Sequence, residues 1–254
     1  MSYYDTAYRA RDAAMRREIY GRDIGQQSWL TAEQQERFAR AAGWSRDTRL
    51  LEVCCGAGGP ALFLAESLGL SVTGIDNNRA GIAAANVRRS ARATFLCADA
   101  AARLPFDDAG FDAVQCIDAI NHLPDRAAVL AEWHRVLAPG GTLVFTDPVV
   151  VTGAVSAEEF AARASIGAFV FLPPGENERL LRGAGFEVLA VEDVTASEAE
   201  IAARRLEARQ KRRAALIEAE GEAAFDATMR FLAAVHALSD SRRLSRLMYL
   251  ARRA

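Results

Sequence analysis

From residue 49 onward, short apolar runs alternate with stretches in which apolar residues recur every three or four positions. The short runs are the pattern of strands buried on both faces, and the longer stretches that of amphipathic helices. In chain order, residues 49–54, 71–76, 93–97, 111–117 and 142–148 are predicted strands, and 60–69, 79–90 and 125–137 predicted helices. Strands separated by helices imply a parallel sheet with right-handed crossovers. Pro139-Gly140-Gly141 supplies the breaker chemistry expected to end the helix before the fifth strand.

Past residue 150 the alternation weakens. Helices over 156–165 and 176–184 flank the aromatic segment Phe169-Val170-Phe171-Leu172-Pro173-Pro174-Gly175, and a sixth strand spans 186–194. A proline-free helical stretch, 196–237, precedes a last strand over 244–252. Ahead of the sheet, residues 5–20 carry helical spacing, and the segment Gly21–Ser28 breaks it. Thr31 with Gln34 three residues later then opens a second helix that runs to Gly43. The expected division is a helical cap segment over 1–48, an α/β core over 49–195, a helical insertion or lid over 196–240 and a last core strand within 241–254.

Composition narrows this reading. The chain has 254 residues, 51% hydrophobic and 25% charged, as in a soluble globular protein. A formal charge of −2 removes any whole-chain basic footprint for nucleic acid. The basic run at 204–213 is flanked by glutamates and reads as a solvated helix face. No apolar run reaches the ~20 residues that span a bilayer, and Met1–Asp5 is polar, so no membrane role and a cytoplasmic location are expected. Cys54, Cys55, Cys97 and Cys116 lie in apolar runs without zinc spacing and are expected to be buried thiols. No metal site is expected.

The chemistry gathers at strand ends. Leu50–Val53, the turn at Gly56, Gly58 and Gly59, and the helical pattern from Ala61 follow the order strand, tight turn, helix N-terminus. Such a terminus accommodates a negatively charged group. Glu52 stands inside the apolar run, where a carboxylate needs a partner. Ligands of parallel α/β sheets bind beyond the carboxyl ends of the strands. There the chain puts Asp76, suited to both hydroxyls of a ribose, then Asp99 with Ala100, suited to an adenine edge, then Asp118, Asn121 and His122. Each aspartate is also an ordinary turn or cap residue. Together they fit an adenosine ligand, while the missing GxxxxGK[ST] argues against a nucleoside triphosphate.

Glu52-Val53-Cys54-Cys55-Gly56-Ala57-Gly58 resembles the acidic-x-Gly-x-Gly-x-Gly turn of class I S-adenosylmethionine-dependent methyltransferases, with Cys54 in place of the first glycine. Phe111–Val114, His122-Leu123-Pro124-Asp125 and Leu137–Gly141 resemble later landmarks of that family. The resemblance implies a Rossmann-like seven-stranded, mostly parallel sheet with helices on both faces and an antiparallel last strand. It implies S-adenosylmethionine as cofactor, with Gly56 and Gly58 along its methionine part, Asp76 on the ribose and Asn77 beside the adenine. Asp99 and Ala100 would read the adenine edge, Ile117 would line the methionine end, and Glu52 would support the loop from beneath. Gly58–Ala61, Phe145–Pro148 and Ala184–Phe186 with Glu192–Thr195 also resemble small-molecule N-methyltransferases of the glycine-derivative and phosphoethanolamine type. That closer likeness puts the 196–237 insertion over the substrate mouth.

The acceptor is less legible. His122 is the candidate general base, or else a cofactor-packing or cap residue. Tyr20, Trp29, Phe169 and Phe171 are suited to an aromatic lining, and Asp147 to a cationic amine, which favours an amine acceptor. The alternatives are an O-, C- or S-methyltransferase on a small metabolite, an RNA methyltransferase and a non-catalytic adenosine-binding protein. A nicotinamide dehydrogenase lacks its full G-x-G-x-x-G turn.

Overall fold

A computed structural model describes residues 13–88 and 90–254. The first part of the 5–20 helical pattern lies outside them. Two short helices, α1 (Ala13–Tyr20) and α2 (Ala32–Ala41), lead in. Thr31 caps α2 in a capping box with Gln34, as its spacing predicts.

The core follows: β1 (Arg49–Val53), α3 (Gly59–Leu68), β2 (Ser71–Asp76), α4 (Arg79–Val87), β3 (Ala93–Cys97), β4 (Phe111–Cys116), α5 (Arg126–Val136) and β5 (Leu137–Val151). Then come α6 (Ala157–Arg163), α7 (Glu176–Gly183), β6 (Phe186–Asp193), helices α8 (Thr195–Lys211), α9 (Arg213–Glu220) and α10 (Glu222–Asp240), and β7 (Leu244–Arg253). The seven strands form one sheet in the order β3-β2-β1-β4-β5-β7-β6. The first five pair in parallel, and β7 inserts antiparallel between β5 and β6.

Alternation along each strand divides the core into two layers. Leu50 joins Phe38, Trp44, Leu62 and Leu64 under α2 and α3. Leu51 and Val53 face the other way, with Leu130, Trp133 and Leu181 under α5 and α7. A third cluster, separate from both, joins Ile19, Tyr20 and Trp29 to Ile201, Phe231 and Val235. It packs the N-terminal segment against α8 and α10.

Three expectations change. Pro139-Gly140-Gly141 lies inside the start of β5, and the β4–β5 register jumps there, with Phe111 opposite Leu137 but Ala113 opposite Thr142. The breaker makes a bulge because the strand partner is already in place on both sides of it. The 196–237 stretch is three helices, broken at Arg212 and at Gly221 (φ +88°). Cys97 is exposed and Cys54 half-buried, while Cys55 and Cys116 are buried. Cys97 is open because β3 is an edge strand that covers only Phe95 well.

Candidate active site

The strand order reverses between β1 and β4, so the crevice beyond their carboxyl ends is where a parallel sheet takes its ligand. Both strands end in a non-glycine residue of left-handed conformation, Cys54 (φ 60°) and Asp118 (φ 53°). A side chain there costs about 1–2 kcal/mol, and such strain clusters at functional sites.

The glycine turn is built around Asp76. Its Oδ2 accepts from the Gly56 N–H and its Oδ1 from the Asn78 N–H, both at 2.8 Å. Burial raises the proton affinity of this carboxyl, against the pull of those two donors. Gly56 (φ 56°) leaves its backbone open for that bond. Gly58 and Gly59 serve packing. A Cβ on Gly58 would stand 2.6 Å from the Phe95 ring, and one on Gly59 would stand 2.4 Å from the Gly25 carbonyl oxygen. The segment after α1 therefore rests directly on the start of α3.

Glu52 lies beneath this turn, 3% exposed. Gln115 Nε2 donates to its Oε1 at 3.2 Å, and Gln115 also pairs with Gln35 of α2. Burial pushes the Glu52 carboxyl up to about 8, partly offset by Gln115 and by the Ala61 N–H at the start of α3. Past β2 and β3, Asn77 and Asp99 are exposed and Ala100 is buried. Asp99 Oδ1 accepts from the Ala101 N–H at 2.9 Å. Ile117, buried, closes the end of β4.

On the other side of the crevice Asp118 is a junction. Its Oδ2 accepts from the Trp29 N–H at 2.8 Å, and its Oδ1 from Thr146 Oγ1 at 2.6 Å and Arg246 Nε at 2.7 Å. The segment 24–29 is thus strung across the switch point, from Gly59 to Asp118. Arg205 of α8 ties it down by donating to the carbonyls of Gln27 and Ser28 and to the Tyr20 hydroxyl. Tyr20 itself donates to the Ser28 carbonyl at 2.8 Å. Tyr20 and Trp29, expected to line a substrate space, are both about 5% exposed, with the Arg205 guanidinium 4.4 Å from the Trp29 ring centre.

His122 follows β4 on a single 3-10 turn (Ile120–His122). Its Nδ1 lies 2.9 Å from the Ala168 carbonyl oxygen, and its ring meets Phe169 edge-on at 4.5 Å. Burial lowers its proton affinity below that of ordinary histidine, opposed by the Ala168 bond and assisted by Arg163. Phe171 stacks on Phe169 at 6.0 Å and meets Phe160 edge-on. Arg163 lies over Phe169 at 4.9 Å and is 3.4 Å from Glu198. Asp147 is not a free contact for an amine. It is wholly buried, paired with Arg126 and accepting from Asn177 Nδ2 at 2.9 Å.

Arg246, Arg163 and Arg126 were missed as site-building residues. The available signal was a charge inside an apolar run, clearest for Arg246 in Leu244–Leu250. The rest of the 204–213 run pairs with Glu18, Glu200, Glu207, Glu220 and Glu222, mostly on an exposed face, though the Arg209–Glu220 pair is largely buried. Among the described residues no group of three or more His, Cys, Asp or Glu side chains is placed to hold a metal ion, and no helix is long and apolar enough to cross a membrane.

Fold and site define an α/β protein whose switch-point crevice is suited to an adenosine cofactor. Residues 51–145 match the methyltransferase domain family. The chain is 34% identical over 173 residues to 27-O-demethylrifamycin SV methyltransferase of Amycolatopsis mediterranei, covering 65% of this chain and 63% of the relative, under two thirds of its length. It is 32% identical over 171 residues to the O-methyltransferase rstn1 of Aspergillus nomiae, covering 65% and 74%. Phosphoethanolamine N-methyltransferase 2 of Haemonchus contortus, solved with S-adenosylmethionine, shares the fold at TM-score 0.82 and 22% identity, over 98% of this chain and 57% of that one. The chain belongs to the class I S-adenosylmethionine-dependent methyltransferases.

The residues present fit that cofactor. Each Asp76 oxygen accepts one backbone N–H, and a carboxylate oxygen has a second lone pair to offer a ribose hydroxyl.

Proposed function

We propose that this enzyme methylates a hydroxyl oxygen of a small molecule, with His122 as general base. The observation that carries the reading is the His122–Ala168 bond. A carbonyl only accepts, so Nδ1 holds the proton and the lone pair stands on Nε2. With its proton affinity lowered by burial, the ring is neutral at pH 7.

S-adenosylmethionine, when bound, supplies a methyl group already activated as a sulfonium. Asp76 would hold its ribose, Asn77, Asp99 and Ala100 would frame its adenine, and Gly56, Gly58 and Ile117 would lie along its methionine part. The remaining work of the chain is alignment and exclusion of water, and alignment alone is worth roughly 7–11 kcal/mol in favourable cases. Trp29, Phe169 and Phe231 supply the dry cover. The acceptor hydroxyl loses its proton as its oxygen bonds carbon, and His122 Nε2 receives it.

Two observations weigh against the amine acceptor that the sequence favours. Asp147 is committed to Arg126, and Arg205 and Arg163 already occupy faces of Trp29 and Phe169, where they repel a second cation. Named O-methyltransferases among the relatives support the same choice, although sterol 24-C-methyltransferases also match.

Matched hydroxyl, amine, thiol and carbon acceptors, assayed for S-adenosylhomocysteine release, test the proposal, and turnover confined to non-hydroxyl acceptors sinks it. His122→Gln should lower kcat by about 10²–10⁴-fold with cofactor affinity unchanged. The acid limb of kcat/KM should have its midpoint below 6.5, the value of an ordinary histidine.

A further inference from the structure

Asn121, one residue before His122, is wholly buried, yet neither the oxygen nor the nitrogen of its side-chain amide has a hydrogen-bond partner among the described residues. Buried polar side chains almost always have one. Its backbone is held in place, with the carbonyl accepting from the Val170 N–H at 2.8 Å. The side chain is therefore anchored and unanswered.

A second such group comes from the helical cover. Glu198 of α8 is also wholly buried, and its Oε2 has no hydrogen-bond partner among the described residues. Its Oε1 meets Arg163 at 3.4 Å. Arg246, on β7, adds an unanswered donor, Nη2. These groups share one interior. Arg163, 3.4 Å from Glu198, lies 4.9 Å over the Phe169 ring, which meets His122 edge-on at 4.5 Å, and Arg246 pairs with Asp118 at 2.7 Å. Asn121 stands between Asp118 and His122 on the same short segment.

With Glu198 ionised, as it is above about pH 7, the charges of this interior cancel: Arg163 and Arg246 against Asp118 and Glu198. A cation or an anion gains nothing net by entering it. What the unanswered atoms ask for is an oxygen that both donates and accepts, since the amide offers one function of each kind, Glu198 an acceptor and Arg246 a donor. Phe169 and Phe231 flank Arg163 of this interior and cluster with Trp29, so the body carrying that oxygen is apolar.

We propose that Asn121 and Glu198 form a recognition subsite for a second oxygen function of the methyl acceptor, beside the hydroxyl that is methylated. The acceptor class is then an apolar-bodied compound with at least two hydroxyl groups. This rests on the hydroxyl reading above. Asn121 and Glu198 set specificity, and His122 takes the proton.

Phenol, catechol and resorcinol are suitable probes, because they share a ring and a reacting hydroxyl and differ in the second oxygen. The full chain with S-adenosylmethionine should prefer one of the dihydroxy probes over phenol by tenfold or more in kcat/KM. Asn121→Leu and Glu198→Gln should each collapse that ratio through KM, with cofactor affinity by calorimetry within twofold of wild type. Asn121→Leu should also keep or raise Tm, because it removes an unanswered amide. If Asn121→Leu does not fold, Glu198→Gln and its ratio carry the test.

A ratio that survives in both variants, or a wild type that does not discriminate, overturns the subsite while leaving the hydroxyl reading intact. A fall in Tm on Asn121→Leu with the ratio unchanged also overturns it, as an internal water then answers the amide. Turnover of benzylamine without any hydroxyl probe overturns the hydroxyl reading itself. If nothing turns over, calorimetry of the probes on the S-adenosylhomocysteine complex decides, and failure of both dihydroxy probes to bind overturns the subsite.

Discussion

Glu52 and Glu198 are two carboxyl groups that take up a proton when the chain folds. Burial lifts the first to about 8 and the second to about 7, from an ordinary 4.5. An acid with a raised affinity in the folded state is penalised once it ionises. The penalty begins above the unfolded value and is complete above the folded one. Stability should therefore fall as pH rises from about 5 to 8, with a limiting slope of about 1.4 kcal/mol per pH unit per group. Urea denaturation across that range measures it, and Glu52→Gln should flatten the slope. An unaltered slope would mean that the Glu52 carboxyl does not titrate there. Cys54 invites the opposite substitution. Cys54→Gly removes a side chain from a left-handed position and should stabilise by about 1 kcal/mol, read as a higher urea midpoint.

At the scale of elements, the segment after α1 is held from both ends. Gly25 lies on Gly59, the Trp29 N–H is bound to Asp118, and Arg205 fastens the middle to α8. Arg205→Met keeps the aliphatic packing and removes the donors. It should expose residues 21–29 to limited proteolysis and weaken cofactor binding about tenfold, or ~1.4 kcal/mol. Unchanged proteolysis and affinity would show that the segment is held without Arg205. The strands and the Thr31 cap were legible because each is decided within a few residues of itself. The docking of this segment was not, because Arg205 meets carbonyls far away in the chain, and a basic run flanked by glutamates looks like solvated surface. Tyr20 and Trp29 were expected to line a substrate space, and their burial against Arg205 could not be read from their spacing.

For the whole molecule, the sheet could be read because parallel strands buried on both faces are written as continuous apolar runs. Asp76, Asp99 and His122 could be placed because strand ends define the crevice. Charges inside β5 and β7 could not be resolved into pairs, since Asp147 finds Arg126 on α5 and Asn177 on α7 only once the layers meet. That network braces one end of the sheet. Arg126→Met leaves Asp147 a buried, unpaired charge and should cost about 3–5 kcal/mol. A loss under 1 kcal/mol in urea denaturation would mean that Asp147 takes up a proton or finds water.

The segment strung from Gly59 to Asp118 has a kinetic meaning as well. A segment anchored at both ends and clasped by Arg205 across the switch point would have to loosen for a spent nucleoside to be exchanged for a fresh one. Were that loosening the slow step, turnover would be set by a collective motion and not by chemistry. Added sucrose or glycerol should slow steady-state turnover in proportion to viscosity while leaving the methyl-transfer burst of the first cycle unaffected.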